Sequence, residues 1–240
     1  MTDLHTHILP GMDDGARDVS ESISLLRMER EQGVDAVALT PHFYRHEETV
    51  GRFLRRRQRA AASLEDALSK LPEEERRNMP RLLLGAEVAI VPHMADWEQL
   101  PELCIGQTKN LLLELPLTLW NGQIIREIYD LINHTGITPV IAHLERYLNC
   151  QRREMIDEVL NLGVPVQITG AVLERWIDRR RVLSLMRKGG DWLIASDCHR
   201  IDSRPPTMRT ALEALEKKLE VGRVREMVCL ADELGGRREI

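Results

Sequence analysis

Apolar and polar positions along this chain switch repeatedly between a period of two and a helical period. Residues 3 to 7, Asp-Leu-His-Thr-His, read as a strand. Pro10, Gly11 and Gly15 then break it into an irregular loop carrying Asp13 and Asp14. From 18 to 32, Val19, Ile23, Leu26 and Met28 fall at roughly helical spacing, and Gly33 suits the position just past a helix end. Residues 34 to 39 are short and apolar, and Thr40-Pro41-His42 ends them, because proline is poorly tolerated inside a central strand. A long helical pattern covers 48 to 70, and Leu71-Pro-Glu-Glu-Glu follows as a polar break. Further strands are predicted at 81–91, 111–115, 137–142, 164–169 and 192–196, with helices at 121–134, 152–162, 172–188 and 207–220. The later strands begin near 111, 138, 165 and 192, a repeat of 27 residues. Such alternation builds a parallel sheet. Seven strands without a Gly-x-Gly-x-x-Gly turn favour a closed α/β barrel over an open, doubly wound sheet.

Composition adds little to that fold and excludes several functions. With 240 residues, 43% of them apolar, the chain can bury a large core. Its 33 basic and 38 acidic residues are intermixed at a net charge of -5, so no nucleic-acid partner is expected. Arg52, Arg55, Arg56, Arg57 and Arg59 crowd one helix segment, but no aromatic residues are interleaved to stack on bases, so that run reads as a solvated face. No 18-residue uncharged apolar stretch occurs and no basic-then-apolar leader opens the chain, so membrane insertion is not expected and the cytoplasm is the expected compartment. Cys104, Cys150, Cys198 and Cys229 form no Cys-x-x-Cys pair and are expected to be free thiols.

The candidate chemistry lies at the strand ends. On a strand, His5 and His7 would point to one face about 7 Å apart, close enough for one divalent ion to bridge, with Asp13 and Asp14 as hard oxygen donors nearby. The following strands end at or contain His42, Glu87, Glu114, His143 and Asp197/His199; only the sixth, with Gln167, brings no metal ligand. A carboxylate in an apolar strand is costly unless paired or bound to a cation. Any one of these residues could be a satisfied structural polar group, but six strands delivering His, Asp or Glu to one rim point to a metal centre. Cys198 and Arg204 match the Cys-x5-Arg spacing of cysteine-dependent phosphatases. The intervening His-Arg-Ile-Asp-Ser has no glycine to wrap a phosphate and adds a carboxylate, so the match is read as coincidence.

Six motifs in order, Asp-Leu-His-Thr-His-Ile-Leu-Pro-Gly-Met-Asp-Asp-Gly-Ala, Thr-Pro-His, Gly-Ala-Glu-Val, Leu-Leu-Glu-Leu-Pro, Ala-His-Leu-Glu-Arg-Tyr and Ser-Asp-Cys-His, resemble the PHP (polymerase and histidinol phosphatase) superfamily. Within it the chain is most similar to the bacterial capsule-type, manganese-dependent protein tyrosine phosphatases. The resemblance implies a single domain over 1–240, a distorted seven-stranded (β/α)7 barrel, with the motifs in about 3–205 and C-terminal helices in about 207–235. It implies two or three divalent ions, Mn2+ first and Fe, Zn, Co or Mg as alternatives. One site would use His5, His7, Glu87 and Asp197; a second Glu87, Glu114 and His143; a third Asp14, His42 and His199. Arg146 and Arg204 match the family's phosphate-contacting arginines, and bidentate guanidinium forks suit that role.

Phosphate-monoester chemistry fits this set. Several cations neutralise the dianion, Glu87 can bridge two of them, and a water between two ions becomes hydroxide near neutral pH. The implied substrate is phosphotyrosine on a protein, the tyrosine-rich tail of a bacterial tyrosine kinase controlling capsule or exopolysaccharide synthesis. Short loops without a long lid agree with such a substrate. A PHP phosphoesterase acting on a small monoester such as histidinol phosphate, or on nucleic acid, remains an alternative that the ligands cannot separate. The Ile-Leu-Pro-Gly-Met-Asp-Asp-Gly loop and Asp14 favour the tyrosine phosphatase. A metal-binding scaffold without activity is the alternative of another class; it would be expected to have lost ligands, and all nine positions are filled. The segment 43–49 departs from its basic or histidine-rich form in some relatives. General acid and oligomeric state stay unassigned.

Overall fold

The computed structural model describes residues 1–236. Its strands are β1 (Thr2–Thr6), β2 (Ala36–Leu39), β3 (His42–Phe43), β4 (Arg81–Leu84), β5 (Glu87–Ala89), β6 (Asn110–Glu114), β7 (Thr138–Ile141), β8 (Val166–Thr169) and β9 (Trp192–Ala195). The helices are α1 (Val19–Glu31), α2 (Val50–Ser69), α3 (Glu73–Asn78), α4 (Gly122–His134), α5 (Arg153–Asn161), α6 (Trp176–Met186), α7 (Met208–Glu216) and α8 (Val221–Leu234). The named strands pair in parallel throughout, as the 27-residue repeat requires.

The pairing does not draw one continuous ring. β1-β2-β4 form one sheet and β3-β5-β6-β7-β8-β9 another. Two interruptions at the same level separate them, Thr40-Pro41 between β2 and β3 and Gly85-Ala86 between β4 and β5, so the predicted strand over 81–91 is two strands. Pro41 has no N–H to donate; the ladder resumes where Glu87 N donates to Pro41 O at 3.1 Å. At the far side, Thr6 and Cys198 form a parallel bridge, with His7 N on Cys198 O and Asp197 N on His5 O, both at 2.8 Å. The first strand is thereby tied to the chain leaving the last.

Local sequence explains most element ends. Asp18 caps α1 by accepting from Glu21 N at 2.9 Å, and Thr49 caps α2 by accepting from Arg52 N at 3.3 Å. The polar break after Leu71 holds the short helix α3. Between β5 and β6 there is no α-helix, only two 3-10 turns, Met94–Asp96 and Leu100–Leu103. The helix expected over 172–188 is split, with a 3-10 turn at Gly170–Glu174 before α6. Gly170, which opens that turn, packs closely on the start of α7: a Cβ there would stand 2.6 Å from Thr207 Oγ1 and 3.0 Å from Ala211 Cβ. The arginine run on α2 is only partly a solvated face. Arg56 donates to Met12 O at 2.7 Å, and Arg57 to Gly85 O at 2.8 Å and Glu102 O at 2.9 Å, pinning α2 to the opening loop and to the strand break.

A large apolar cluster fills the space between strands and helices. A smaller one gathers Leu4, Ala38 and Leu83 from one sheet, Leu112, Val140 and Leu193 from the other, and Ala231 and Leu234 from α8. That shared cluster is what holds the two sheets against each other. Among the described residues no helix is long and apolar enough to cross a membrane. Leu112 is fully buried in the shared cluster. Leu112→Ala is therefore expected to lower stability by about 2–5 kcal/mol, read from the urea unfolding midpoint.

Candidate metal centre

Strand ends bring the side chains together, and strained backbone aims two of them. His143 and Asp197, directly after β7 and β9, adopt left-handed φ of 31° and 51°, a region that costs a non-glycine residue of order 1–3 kcal/mol. The opening loop folds back under a similar constraint. Gly15 lies so close to β1 that a Cβ there would fall 2.0 Å from His7 O, and Ala16 N donates to that oxygen at 2.9 Å.

Hydrogen bonds on the outer ring nitrogens set which atoms face inward. His5 Nδ1 lies 3.2 Å from Gln167 Oε1, His7 Nδ1 lies 2.7 Å from Asp13 Oδ2, and His199 Nδ1 lies 3.0 Å from Asp197 O. Each partner is an acceptor, so in the neutral imidazole each Nδ1 carries the proton and each Nε2 presents a lone pair. His5 Nε2 and His7 Nε2 stand only 3.1 Å apart. Glu87 Oε2 is 3.2 Å and 3.4 Å from them, and Asp197 Oδ1 is 3.5 Å from both. Lone pairs and carboxylates converging this closely repel one another unless a positive charge joins them.

The remaining residues extend that cluster. His143 Nε2 lies 2.7 Å from Glu87 Oε1 and 3.7 Å from Glu114 Oε1. His42 Nδ1 lies 2.9 Å from Glu87 Oε2 and 3.3 Å from the Tyr44 hydroxyl, while its Nε2 is 3.6 Å from Asp14 Oδ1. Its Nδ1 is thus the nitrogen beside Glu87 and the Tyr44 hydroxyl, and its Nε2 the one that faces Asp14. His199 Nε2 is 3.4 Å from the same Asp14 oxygen and also accepts from Arg204 Nη1 at 2.9 Å. By ligand-atom proximity the groups are His5, His7 and Glu87; His42, Glu87 and Glu114; and His7, Asp14, His42 and His199. All nine residues expected at the centre are thus in one place. The grouping differs from the expected one: His7 joins the Asp14 set, His42 takes the place of His143 beside Glu87 and Glu114, and Asp197 and His143 stand outside these groups, within 3.5 Å of His5 Nε2 and 2.7 Å of Glu87 Oε1 respectively.

Electrostatics show the demand for positive charge. Burial disfavours protonated His5, yet Glu87 and Asp197 outweigh it and raise its pKa. His7, also buried, is pushed well up by Asp13, Asp197 and Glu87. Against their own burial, Glu87 is held well below the usual carboxylate range by His5, His143 and His42, and Asp197 by His5, His7 and Arg146. Glu114 moves the other way, raised by burial and by Glu87. Burial also lowers His143, and burial with His7 lowers His199 to about 3. Glu87 Oε2 is buried with no well-aligned hydrogen bond. A divalent cation is the group this donor set fits: imidazole and carboxylate, mixed, with a bridging carboxylate at the middle.

One residue departs from expectation, one gains a part, and one behaves as expected. Asp13, expected as a further oxygen ligand, faces away from the cluster. Its Oδ2 accepts from His7 Nδ1 and from His42 N at 2.9 Å, and its Oδ1 from Gly15 N at 3.0 Å, so it orients two histidines and the loop. Burial opposes its ionisation, but these partners, His7 foremost, lower its pKa to about 2. Gln167, on the strand that brings no ligand, orients His5 and accepts from His143 N at 2.6 Å. Cys198 is fully buried, its Sγ 3.6 Å from Glu29 Oε1, and burial with Glu29 and Asp3 pushes the thiol well up. A thiol so disposed is no nucleophile. Sequence reasoning also missed Tyr44 beside His42; its place two residues after a strand-ending histidine was the available signal.

Arg146 and Arg204 converge on Asp197 Oδ2, the latter at 2.6 Å. Both are about a third exposed and line a hollow of about 260 Å³ with Glu145, Asn149 and Arg175. Burial raises the pKa of Glu145 to about 7.

Fold and side chains together define a class: parallel α/β proteins that gather imidazoles and carboxylates at the carboxyl ends of their strands. Within it, the chain belongs to the capsular polysaccharide synthesis CpsB/CapC family, which it matches over residues 1–233. It is 31% identical over 230 residues to the tyrosine-protein phosphatase YwqE of Bacillus subtilis, covering 91% of this chain and 85% of that one. It is 27% identical over 235 residues to the tyrosine-protein phosphatase CpsB of Streptococcus agalactiae serotype III, covering 90% and 89%. A chain from the crystal structures of YwqE and of Streptococcus pneumoniae CpsB, described as metal-dependent tyrosine phosphatases, superposes with a TM-score of 0.81 at 27% identity, covering 100% of this chain and 96% of that one. An amidohydrolase at 10% identity shares the fold, with a TM-score of 0.53.

Asp13→Asn keeps the volume but removes the charge that orients His7. Affinity for Mn2+, measured by calorimetric titration, is expected to fall about 10–100-fold.

Proposed function

We propose that this chain is a metal-dependent protein tyrosine phosphatase of capsule or exopolysaccharide synthesis, acting in the cytoplasm on the tyrosine-rich tail of a bacterial tyrosine kinase. The observation that carries the reading is the convergence of His5 Nε2, His7 Nε2 and Asp197 Oδ1 around Glu87 Oε2. Membership of the capsule-synthesis family and likeness to relatives named as tyrosine phosphatases supply the substrate class. The two parallel sheets, joined by the Thr6–Cys198 bridge and a common apolar cluster, support reading the nine strands as seven positions of one distorted (β/α)7 barrel in a single domain.

The ligands are His5, His7, Glu87 and Asp197 for one ion, Glu87, Glu114 and His143 for a second, and Asp14, His42 and His199 for a third, with Mn2+ as the ion. The third is the weakest holder, since the Asp14 side chain is 70% exposed and His199 is shared with Arg204. When bound, the ions neutralise the phosphate dianion and lower the pKa of water enough to give a nucleophile at neutral pH. The chain's own residues supply the rest. Glu87 presents two oxygens between neighbouring sites, and Asp13 and Gln167 hold His7 and His5 in the tautomer that faces inward. Arg146 and Arg204 reach the same rim and grip the phosphoryl oxygens, adding positive charge where it builds in the transition state. The tyrosyl leaving group, with a pKa of about 10, departs with modest proton assistance.

Purified protein is expected to hydrolyse p-nitrophenyl phosphate and phosphotyrosine peptides with manganese, in preference to histidinol phosphate and single-stranded oligonucleotides. Comparison of kcat/KM for the four tests this, and a preference for either of the last two would overturn the substrate assignment. Exhaustive chelation is expected to abolish turnover and added Mn2+ to restore it.

Cys198→Ser is expected to retain most of the activity, whereas His42→Ala or Asp197→Ala should lower kcat by at least about 100-fold. Loss of activity in the serine variant at unchanged metal content would point to the thiol instead.

A further inference from the structure

Beyond the two arginines the rim runs into a second hollow, which the chemistry above does not use. Leu148, in the 3-10 turn Leu144–Asn149 that carries Arg146, and Gln151 just past it line one side; α5 contributes Arg153, α6 contributes Arg180 and Arg181, and Lys188 follows α6. The hollow measures about 470 Å³, and its lining holds four cations and no carboxylate. In a chain of net charge -5 this is a local reversal of sign. Asp157 partly answers two of the cations, lying 3.0 Å from Lys188 Nζ and 3.8 Å from Arg153 Nε. The other two have no ion-pair partner among the described residues. Arg180 lies over the ring of Trp176 at 5.9 Å, and Arg181 donates to the uncharged side chain of Asn149.

That last bond links the two hollows. Asn149 lines the one beside Arg146 and Arg204, and Arg181 lines the basic one. The two hollows are therefore neighbours, and a polypeptide with its phosphate at the arginines would bring its flanking residues toward the basic one. Trp176 and Ile177, 63% and 58% exposed, stand on the same helix, Trp176 beneath the Arg180 guanidinium.

We propose that this groove binds the segment flanking the phosphotyrosine of a protein substrate and selects for acidic residues in it. The proposal rests on the phosphotyrosine reading above. Carboxylates of the segment would answer Arg180 and Arg181, an attraction between partly exposed charges that added salt screens. A concave groove between two helices, next to the hollow that Arg146 and Arg204 line, fits an extended peptide better than a flat anionic bilayer.

The test compares p-nitrophenyl phosphate, a phosphotyrosine peptide flanked by glutamates and one flanked by serines, on the metal-loaded wild type and on the double variant Arg180→Glu, Arg181→Glu. Wild type is expected to favour the glutamate peptide about tenfold in kcat/KM, with the difference shrinking as salt rises. The variant should lose that preference, through a higher KM, while turning over p-nitrophenyl phosphate at the wild-type rate, which shows an intact fold and centre. Equal rates on the two peptides in wild type, or a preference retained in the variant, would overturn the proposal and leave the phosphatase assignment standing. Turnover of p-nitrophenyl phosphate with neither peptide hydrolysed would instead sink the phosphotyrosine reading. Sedimentation of both proteins with phosphatidylserine vesicles separates the remaining possibility: binding lost in the variant, with peptide preference unchanged, would make the groove a membrane contact.

Discussion

Glu87 is buried among imidazole nitrogens and faces a second carboxylate across a few ångströms, and this concentration of negative charge and lone pairs governs much of the surrounding architecture. A carboxylate carried into an apolar sheet is unstable unless something positive accompanies it. Here the carboxylates raise the pKa of His5 and His7 despite burial, so the cluster draws in protons when no other cation offsets it. A divalent ion held by these residues would satisfy the same demand in place of those protons, so metal affinity would weaken as pH falls through the raised histidine values. Stability and function then depend on one charge balance.

Much of the irregular backbone can be understood from that balance. The interruptions at Thr40-Pro41 and Gly85-Ala86 divide the strands just before His42 and Glu87. The left-handed residues His143 and Asp197 lie where β7 and β9 release the chain. Such strain persists only where the surroundings hold it, and here the Asp197 side chain accepts from two arginines while His143 N donates to Gln167. Asp13 does the equivalent for the opening loop, fastening His7, His42 and Gly15 at once.

The gathering of these side chains at one rim was legible in the sequence because strand ends are marked by local signals: His-x-His on a period of two, proline after Thr40, and an isolated acid in each of two apolar runs. The parallel order was legible for the same reason, through the 27-residue repeat. What escaped depends on distance in space. Nothing local distinguishes Asp13 from Asp14, yet one turns back to His7 and the other toward His42 and His199. Gln167 read as a gap in the pattern because it supplies no ligand; its role exists only once β8 lies beside His5 and His143. Arg56 and Arg57 looked like part of a solvated run, since their carbonyl acceptors at Met12, Gly85 and Glu102 are far away in sequence. The division into two sheets and the close approach of Gly170 to α7 likewise involve packing between distant segments.

The most direct measurement of the central claim is anomalous diffraction at the manganese edge from crystals grown with Mn2+. The account predicts at least two separate peaks, both within bonding distance of Glu87, one of them also contacting His5 and His7 through Nε2. A single peak away from Glu87, or no peak with His5 and His7 still in their present positions, would contradict it, because the convergence of those donors would then be balanced by protons alone.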